Sequence, residues 1–243
     1  MSQNRLHYTA GTDIKGVGVD QKELEIELAA CKAETVNPKG FNKNCVLPFG
    51  LTTDHLHVAM NEFVDFICYL NTQLNVKGIR RMETMLMSAN FSSMVGEFMH
   101  VAIAKACPTL VKNNYHNGHP DLIPAGKHRN DAVQHSEEGI EIKASRYDKG
   151  WQGHNAENCW LMVFVYEAGR PSDEHKEVDP TPFKFISVAG AQLTIDDWAF
   201  AGRKEGSRRT ITASVKPSGY QKMMANWIYK RPNANSIWDT FAK

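Results

Sequence analysis

The chain has 243 residues, 28 Lys and Arg against 27 Asp and Glu, 42% hydrophobic and 23% charged residues. These are values of an ordinary globular protein, so disordered, collagen-like and fibrous classes are excluded. The longest unbroken apolar run, Cys159 to Tyr166, is far shorter than the ~20 residues of a membrane helix, and the N-terminus lacks the apolar core of a signal peptide. The expectation is a cytoplasmic protein with no membrane contact.

The first fifty residues are polar and punctuated by Gly16, Gly18, Pro38, Gly40, Pro48 and Gly50, with one short helical stretch predicted at 21–33. Apolar residues at Leu56, Met60, Phe63, Ile67, Leu70 and Leu74 then step by three and four, which predicts a helix over 54–74 with one buried face. His55 and His57 fall at its start, where capping or surface roles are expected. A second helical run covers 80–106. Asn90-Phe91-Ser92-Ser93 offers an N-cap inside it, so one helix is expected up to about residue 89 and another from about residue 93 to 106, before Pro108.

Beyond residue 110 the period changes. Ile140-Glu141-Ile142-Lys143-Ala144 alternates apolar and charged residues, the mark of a strand with two unlike faces. The run 159–166 reads as a strand covered on both sides, strands are expected at 182–188 and 209–215, and a helix at 218–229. Five scattered cysteines with no C-x-x-C pair argue against disulfides or a Cys-rich zinc site. Helices, then strands, then a terminal helix predict an α/β protein with a central sheet flanked by helices. Its organisation is expected as an N-terminal accessory region, 1–79, followed by a main domain, 80–243.

Chemistry concentrates in two places. Gly118-His119-Pro120-Asp121-Leu122-Ile123 is followed, twenty residues after Asp121, by Glu141-Ile142-Lys143. On the alternating strand Glu141 and Lys143 share a face, and a gap of twenty residues suits a strand and a loop that return Asp121 beside Glu141. Two adjacent carboxylates repel unless a cation lies between them, and hard oxygen ligands suit Mg²⁺. The tripeptide alone is weak, since Asp13-Ile14-Lys15, Asp20-Gln21-Lys22 and Glu174-His175-Lys176 repeat it; only the copy at 141 lies in an alternating strand with Pro-Asp upstream. A charge pair on a solvated sheet face is the plain alternative.

With Pro120-Asp121 and Glu141-Ile142-Lys143 as its signature, the sequence resembles the PD-(D/E)XK nuclease superfamily, over roughly residues 80–190 as an order of elements. The resemblance implies a restriction-endonuclease-like fold, a mixed central sheet flanked by helices, here with an N-terminal helical extension. It implies Mg²⁺ held by Asp121 and Glu141, with Lys143 orienting the attacking water and offsetting transition-state charge. Between two carboxylates the Lys143 ammonium is favoured, whereas a bound dication pushes the other way. Glu97, on the helix before these strands, matches the family's additional glutamate as a metal or water-orienting residue, although the first turns of a helix favour Glu whatever its role. The helix-borne Gln-x-x-x-Tyr of the exonuclease-type members is missing: Ala156 stands four residues after Gln152.

The loop after the strand carries Arg146, Lys149, Trp151, Gln152, His154 and Asn155, donor-rich and stacking-capable groups suited to DNA phosphates and base edges. An ordinary surface loop with one anchoring Trp is the alternative. Between residues 201 and 231 eight Lys and Arg stand against Glu205 alone, so Arg208, Arg209 and Lys216 are expected to meet backbone phosphates, helped by helix N-terminal amides near Ser218. His116-x-x-His119, with His128 and His135, gives a rival metal reading, without H-E-x-x-H or a matching Cys.

The reading is therefore a Mg²⁺-dependent endonuclease acting on double-stranded DNA, of the sequence-specific type II restriction kind, expected as a homodimer. A structure- or damage-selective repair nuclease or junction resolvase, or a catalytically silent DNA-binding protein on the same fold, are the alternatives.

Overall fold

A computed structural model describes residues 21–153, 155–173, 176, 178–200 and 212–233. The helices α1 (Gln21–Ala30), α2 (Thr53–Val76), α3 (Met82–Met85) and α4 (Ser88–Ala106) come first. Strands β1 (Leu110–Lys112), β2 (Leu122–Pro124), β3 (Ile140–Ser145), β4 (Gln152–Gly153), β5 (Cys159–Glu167), β6 (Lys184–Leu193), β7 (Trp198–Phe200) and β8 (Ala213–Val215) follow. Helix α5 (Pro217–Ala225) and strand β9 (Trp227–Lys230) complete the order.

The main sheet is mixed, ordered β1-β2-β3-β5-β6-β9, with every neighbouring pair antiparallel except the parallel β3 and β5. A small antiparallel sheet, β4-β8-β7, is separate in its hydrogen bonding and packs on one face of it. The continuous apolar run of β5 is explained by burial on both sides. Trp160, Met162, Phe164 and Tyr166 pack toward the helices, in one core with Leu56, Phe63, Phe91, Val95 and Met99. Leu161, Val163 and Val165 pack on the opposite face with Trp151, Trp198, Ala213 and Met223 from the small-sheet and α5 side. The protein is thus an α/β structure whose sheet is covered on both faces. No helix among the described residues is long and apolar enough to cross a membrane.

Helix α2 begins with a reciprocal cap: His55 N donates to Thr52 Oγ1 at 3.2 Å and Thr52 N donates to His55 Nδ1 at 3.3 Å. His57 Nε2 meets the Val36 carbonyl at 2.9 Å, so both histidines serve the start of the helix. Val36, Leu51 and the α2 stripe share one core with Ile140, Ile142 and Tyr229, so residue 79 does not separate two hydrophobic cores.

The expected helix start near residue 93 is corrected to Ser88. Phe91 is fully buried against Tyr166 and Phe183, and the two serines are satisfied inside a helix, Ser93 Oγ donating to Ala89 O and Ser92 Oγ bonding Tyr166 OH. The terminal helix expected to reach Tyr229 stops at Ala225. Trp227-Ile228-Tyr229 instead pair with β6, because β-favouring residues that complete a sheet edge bury Ile228 and Tyr229, and Asn226 Nδ2 holds the turn by donating to Val46 O and Gly190 O. Strand β6 runs past its expected end because residues 189–193 continue to pair with β5, and Gly190 stands within it because a Cβ would lie 2.3 Å from the Trp160 ring. Of the strand expected at 209–215, residues up to 211 lie outside those described.

Candidate active site

Strands β2 and β3 join through a single backbone pair, Leu122 with Ile140. Gly139 makes that approach possible, at φ +146° and with no room for a side chain: a Cβ would sit 2.1 Å from Leu122 O. Beyond the pair the strands part, and the carboxylate of Asp121 takes the place of a ladder carbonyl, its Oδ2 accepting from Ile142 N at 2.8 Å. This sets Asp121 beside β3, where Glu141 and Lys143 face away from the helices while Ile140 and Ile142 are buried under them.

The turn that delivers Asp121 is clamped by Asn113. Its backbone N donates to Asp121 O at 2.9 Å, and its Nδ2 donates to Pro120 O at 3.1 Å and Val133 O at 2.8 Å. Its Oδ1 accepts from Tyr115 N at 3.1 Å and Val133 N at 3.0 Å.

Glu141 is buried and doubly paired: Lys143 Nζ donates to Oε1, and His119 Nδ1 lies 3.0 Å from Oε2. Burial alone pushes the Glu141 carboxyl up, but the His119 hydrogen bond and the Lys143 charge outweigh it and hold it at about 2. Asp121 goes the other way. Desolvation, and then the Glu141 charge, raise it to about 7 against the opposing Lys143 ammonium and Ile142 amide. Burial would lower Lys143, yet Glu141 and Asp121 raise it on balance, so the side chain is an ammonium. His119 is likewise raised, its burial outweighed by Glu141.

Glu97 is 70% exposed on α4, with its Oε2 at 3.4 Å from His100 Nε2 and 4.0 Å from Lys112 Nζ. Its charge adds to the forces that raise Asp121. It does not close a compact three-carboxylate centre with Asp121 and Glu141. Among the described residues, the group of three His, Cys, Asp or Glu with ligand atoms all within 4.8 Å of one another is His119, His135 and Glu157. His116 stands exposed outside it.

Several residues expected at a DNA surface are used by the fold instead. Trp151 is 4% exposed, donates its Nε1 to Tyr147 O at 2.9 Å and packs on Tyr220, so it is a core residue and cannot stack on a base. The Arg146 guanidinium is bound to Ala168 O and Gly169 O and lies over the Phe91 and Tyr166 rings. Lys149, Gln152 and Asn155 are exposed. Lys216 is exposed as well, with its Nζ on Asp196 O at 3.1 Å. At the start of α5 the chain's own Asp197 accepts from Ser218 Oγ at 2.9 Å and Lys222 Nζ at 2.6 Å, so these two side chains are already engaged by a carboxylate. His154, Arg208 and Arg209 lie outside the described residues.

Asn113, His119 as the Glu141 partner and Glu157 were not legible as site residues. His119 carries two sequence signals, the Gly-His-Pro-Asp run and the His116-x-x-His119 spacing with His135 downstream, neither of which marks it as the Glu141 partner; Asn113 and Glu157 sit in polar stretches with nothing to distinguish them. No protein-family model matches the chain, and a search of curated proteins finds no match.

Proposed function

We propose that the chain is a Mg²⁺-dependent endonuclease of restriction-endonuclease-like fold, hydrolysing phosphodiester bonds of double-stranded DNA in the sequence-specific type II manner. One observation carries the reading: the Asp121 carboxylate is inserted at Ile142 N in the gap between β2 and β3, next to a strand that offers Glu141 and Lys143 on the same face. A solvated charge pair would not need a desolvated second carboxylate beside it. The helix α4 ahead of the strands and the mixed sheet flanked by helices agree with the PD-(D/E)XK resemblance.

The donor set fits Mg²⁺. Asp121 and Glu141 are hard oxygen ligands side by side, and a dication between them would offset the Glu141 charge that, after desolvation, raises Asp121. Bound there, the ion would polarise a phosphate oxygen and lower the pKa of a water. The protein's own residues supply the remainder. Glu141, fixed from two sides by His119 and Lys143, is preorganised rather than mobile. The Lys143 ammonium places positive charge where negative charge grows on the phosphorus oxygens in the transition state. Lys149 and Asn155 on the loop after β3 and Gln152 in β4 are exposed, and their donors would suit contacts to the DNA backbone. Cutting both strands with one site per chain calls for a two-fold homodimer.

The test is incubation of the purified chain with plasmid and phage DNA in Mg²⁺, with Asp121→Asn alongside. Discrete fragments absent from the variant are expected. Intact DNA in both reactions would overturn the reading.

A further inference from the structure

The loop leading to Asp121 and the segment preceding β5 meet at a second group of side chains. His119 and His135 are joined by a parallel bridge, with His119 N donating to Gln134 O at 3.0 Å and Ser136 N donating to His119 O at 2.9 Å. Their rings stack with centroids 5.6 Å apart. The backbone therefore sets both imidazoles side by side. Glu157 Oε2 completes the group, 3.1 Å from His135 Nε2 and 3.6 Å from His119 Nε2.

The two nitrogens of His119 have different surroundings. Nδ1 is taken by Glu141, whereas Nε2 is buried, without a hydrogen-bond partner, and turned toward Glu157. Ligand atoms about 2.1 Å from a tetrahedral metal are about 3.4 Å apart, and the two distances to Glu157 bracket that value. Two imidazoles and one carboxylate are a donor set for borderline transition-metal dications, not for Mg²⁺, which takes oxygen.

We propose that His119, His135 and Glu157 bind a zinc-type divalent transition metal, at a site separate from the Asp121 and Glu141 oxygens. The cation takes the place of a proton on His119 Nε2, and the Nδ1 hydrogen bond to Glu141 becomes the carboxylate partner that orients a metal-bound histidine. Three protein ligands leave a fourth position for water. The site ties the segments on either side of β2, which carry His119 and His135, to the segment ahead of β5, and so fixes from outside the histidine that fixes Glu141.

The full chain, stripped with chelator and dialysed, is titrated with Co²⁺ as a spectroscopic probe. The expected result is one Co²⁺ per chain with the visible absorption of a low-coordinate site, displaced by one equivalent of Zn²⁺ and unaffected by millimolar Mg²⁺. His135→Ala and Glu157→Gln each weaken binding at least about tenfold, while Asp121→Asn retains it. His135 is exposed, so its variant folds and remains informative. Absence of the absorption, affinity unchanged in both ligand variants, or loss confined to Asp121→Asn would overturn the proposal. No DNA enters the readout, so failure here is distinct from failure of the nuclease reading.

Discussion

Asn113→Ala removes one side chain that accepts two backbone amides and donates to two backbone carbonyls, tying the loop that presents Asp121 to Val133 beyond β2. The position is buried, and Gly118 leaves no space for repacking, since a Cβ there would already be 2.6 Å from Asn113 Nδ2. At about 1 kcal/mol net for each hydrogen bond, the four together put the loss at roughly 3–4 kcal/mol. Urea unfolding followed by circular dichroism measures it directly, and in a thermal scan a loss of ~3 kcal/mol lowers Tm by about 6–12 °C for a chain of this size. Asn113→Asp keeps the two accepting bonds but sets a buried carboxylate oxygen against Pro120 O and Val133 O, so a loss at least as large as that of the alanine variant is expected. A loss under ~1 kcal/mol for the alanine variant would refute the claim that this side chain holds the Asp121 turn.

Gly139→Ala forces a Cβ into the Leu122 carbonyl at a backbone angle of +146° and is expected to cost more than ~2 kcal/mol, read by the same unfolding assay. In chelator, Asp121 retains its proton up to about 7 in the folded chain but only to 3.8 when unfolded, so its contribution is full below 3.8 and is lost as pH rises through 7. Stability measured from pH 5 to 8 should therefore fall less in Asp121→Asn than in the native chain, and the variant should be the more stable of the two above pH 7. Glu141, held at about 2 against 4.5, has the opposite sign: its contribution is present above 4.5 and is lost as pH falls through 2, which Glu141→Gln should abolish in acid unfolding.

The sequence disclosed those elements whose pattern is long and whose period is unambiguous. The α2 stripe and the alternation of β3 needed no tertiary information, and neither did the two-sided burial of β5. Strands β2, β4, β7 and β8 have two or three residues each, too few for a period, and β9 carries residues that a helix could also have used until the open edge of β6 is known. The placement of Asp121 beside Glu141 was foreseeable from the spacing, but the reason for it was not: Gly139 and Asn113 act through contacts with Leu122 and Val133 that no local pattern marks. Composition misled at Trp151 and Arg146. An aromatic and a guanidinium in a polar loop suit a nucleic-acid surface, yet both are equally suited to anchoring that loop on the core, and here each finds backbone carbonyls within reach.

The central claim rests on Asp121, Glu141 and Lys143 acting together on DNA. Supercoiled plasmid incubated in Mg²⁺ with the native chain and with Lys143→Ala in parallel, cleavage and DNA retention being read on the same samples, tests it most directly. The account predicts that the variant binds DNA as well as the native chain does and cuts at least about 10²-fold more slowly, with cutting by the native chain abolished in chelator. Equal cutting by both proteins, or none by the native chain, would contradict it.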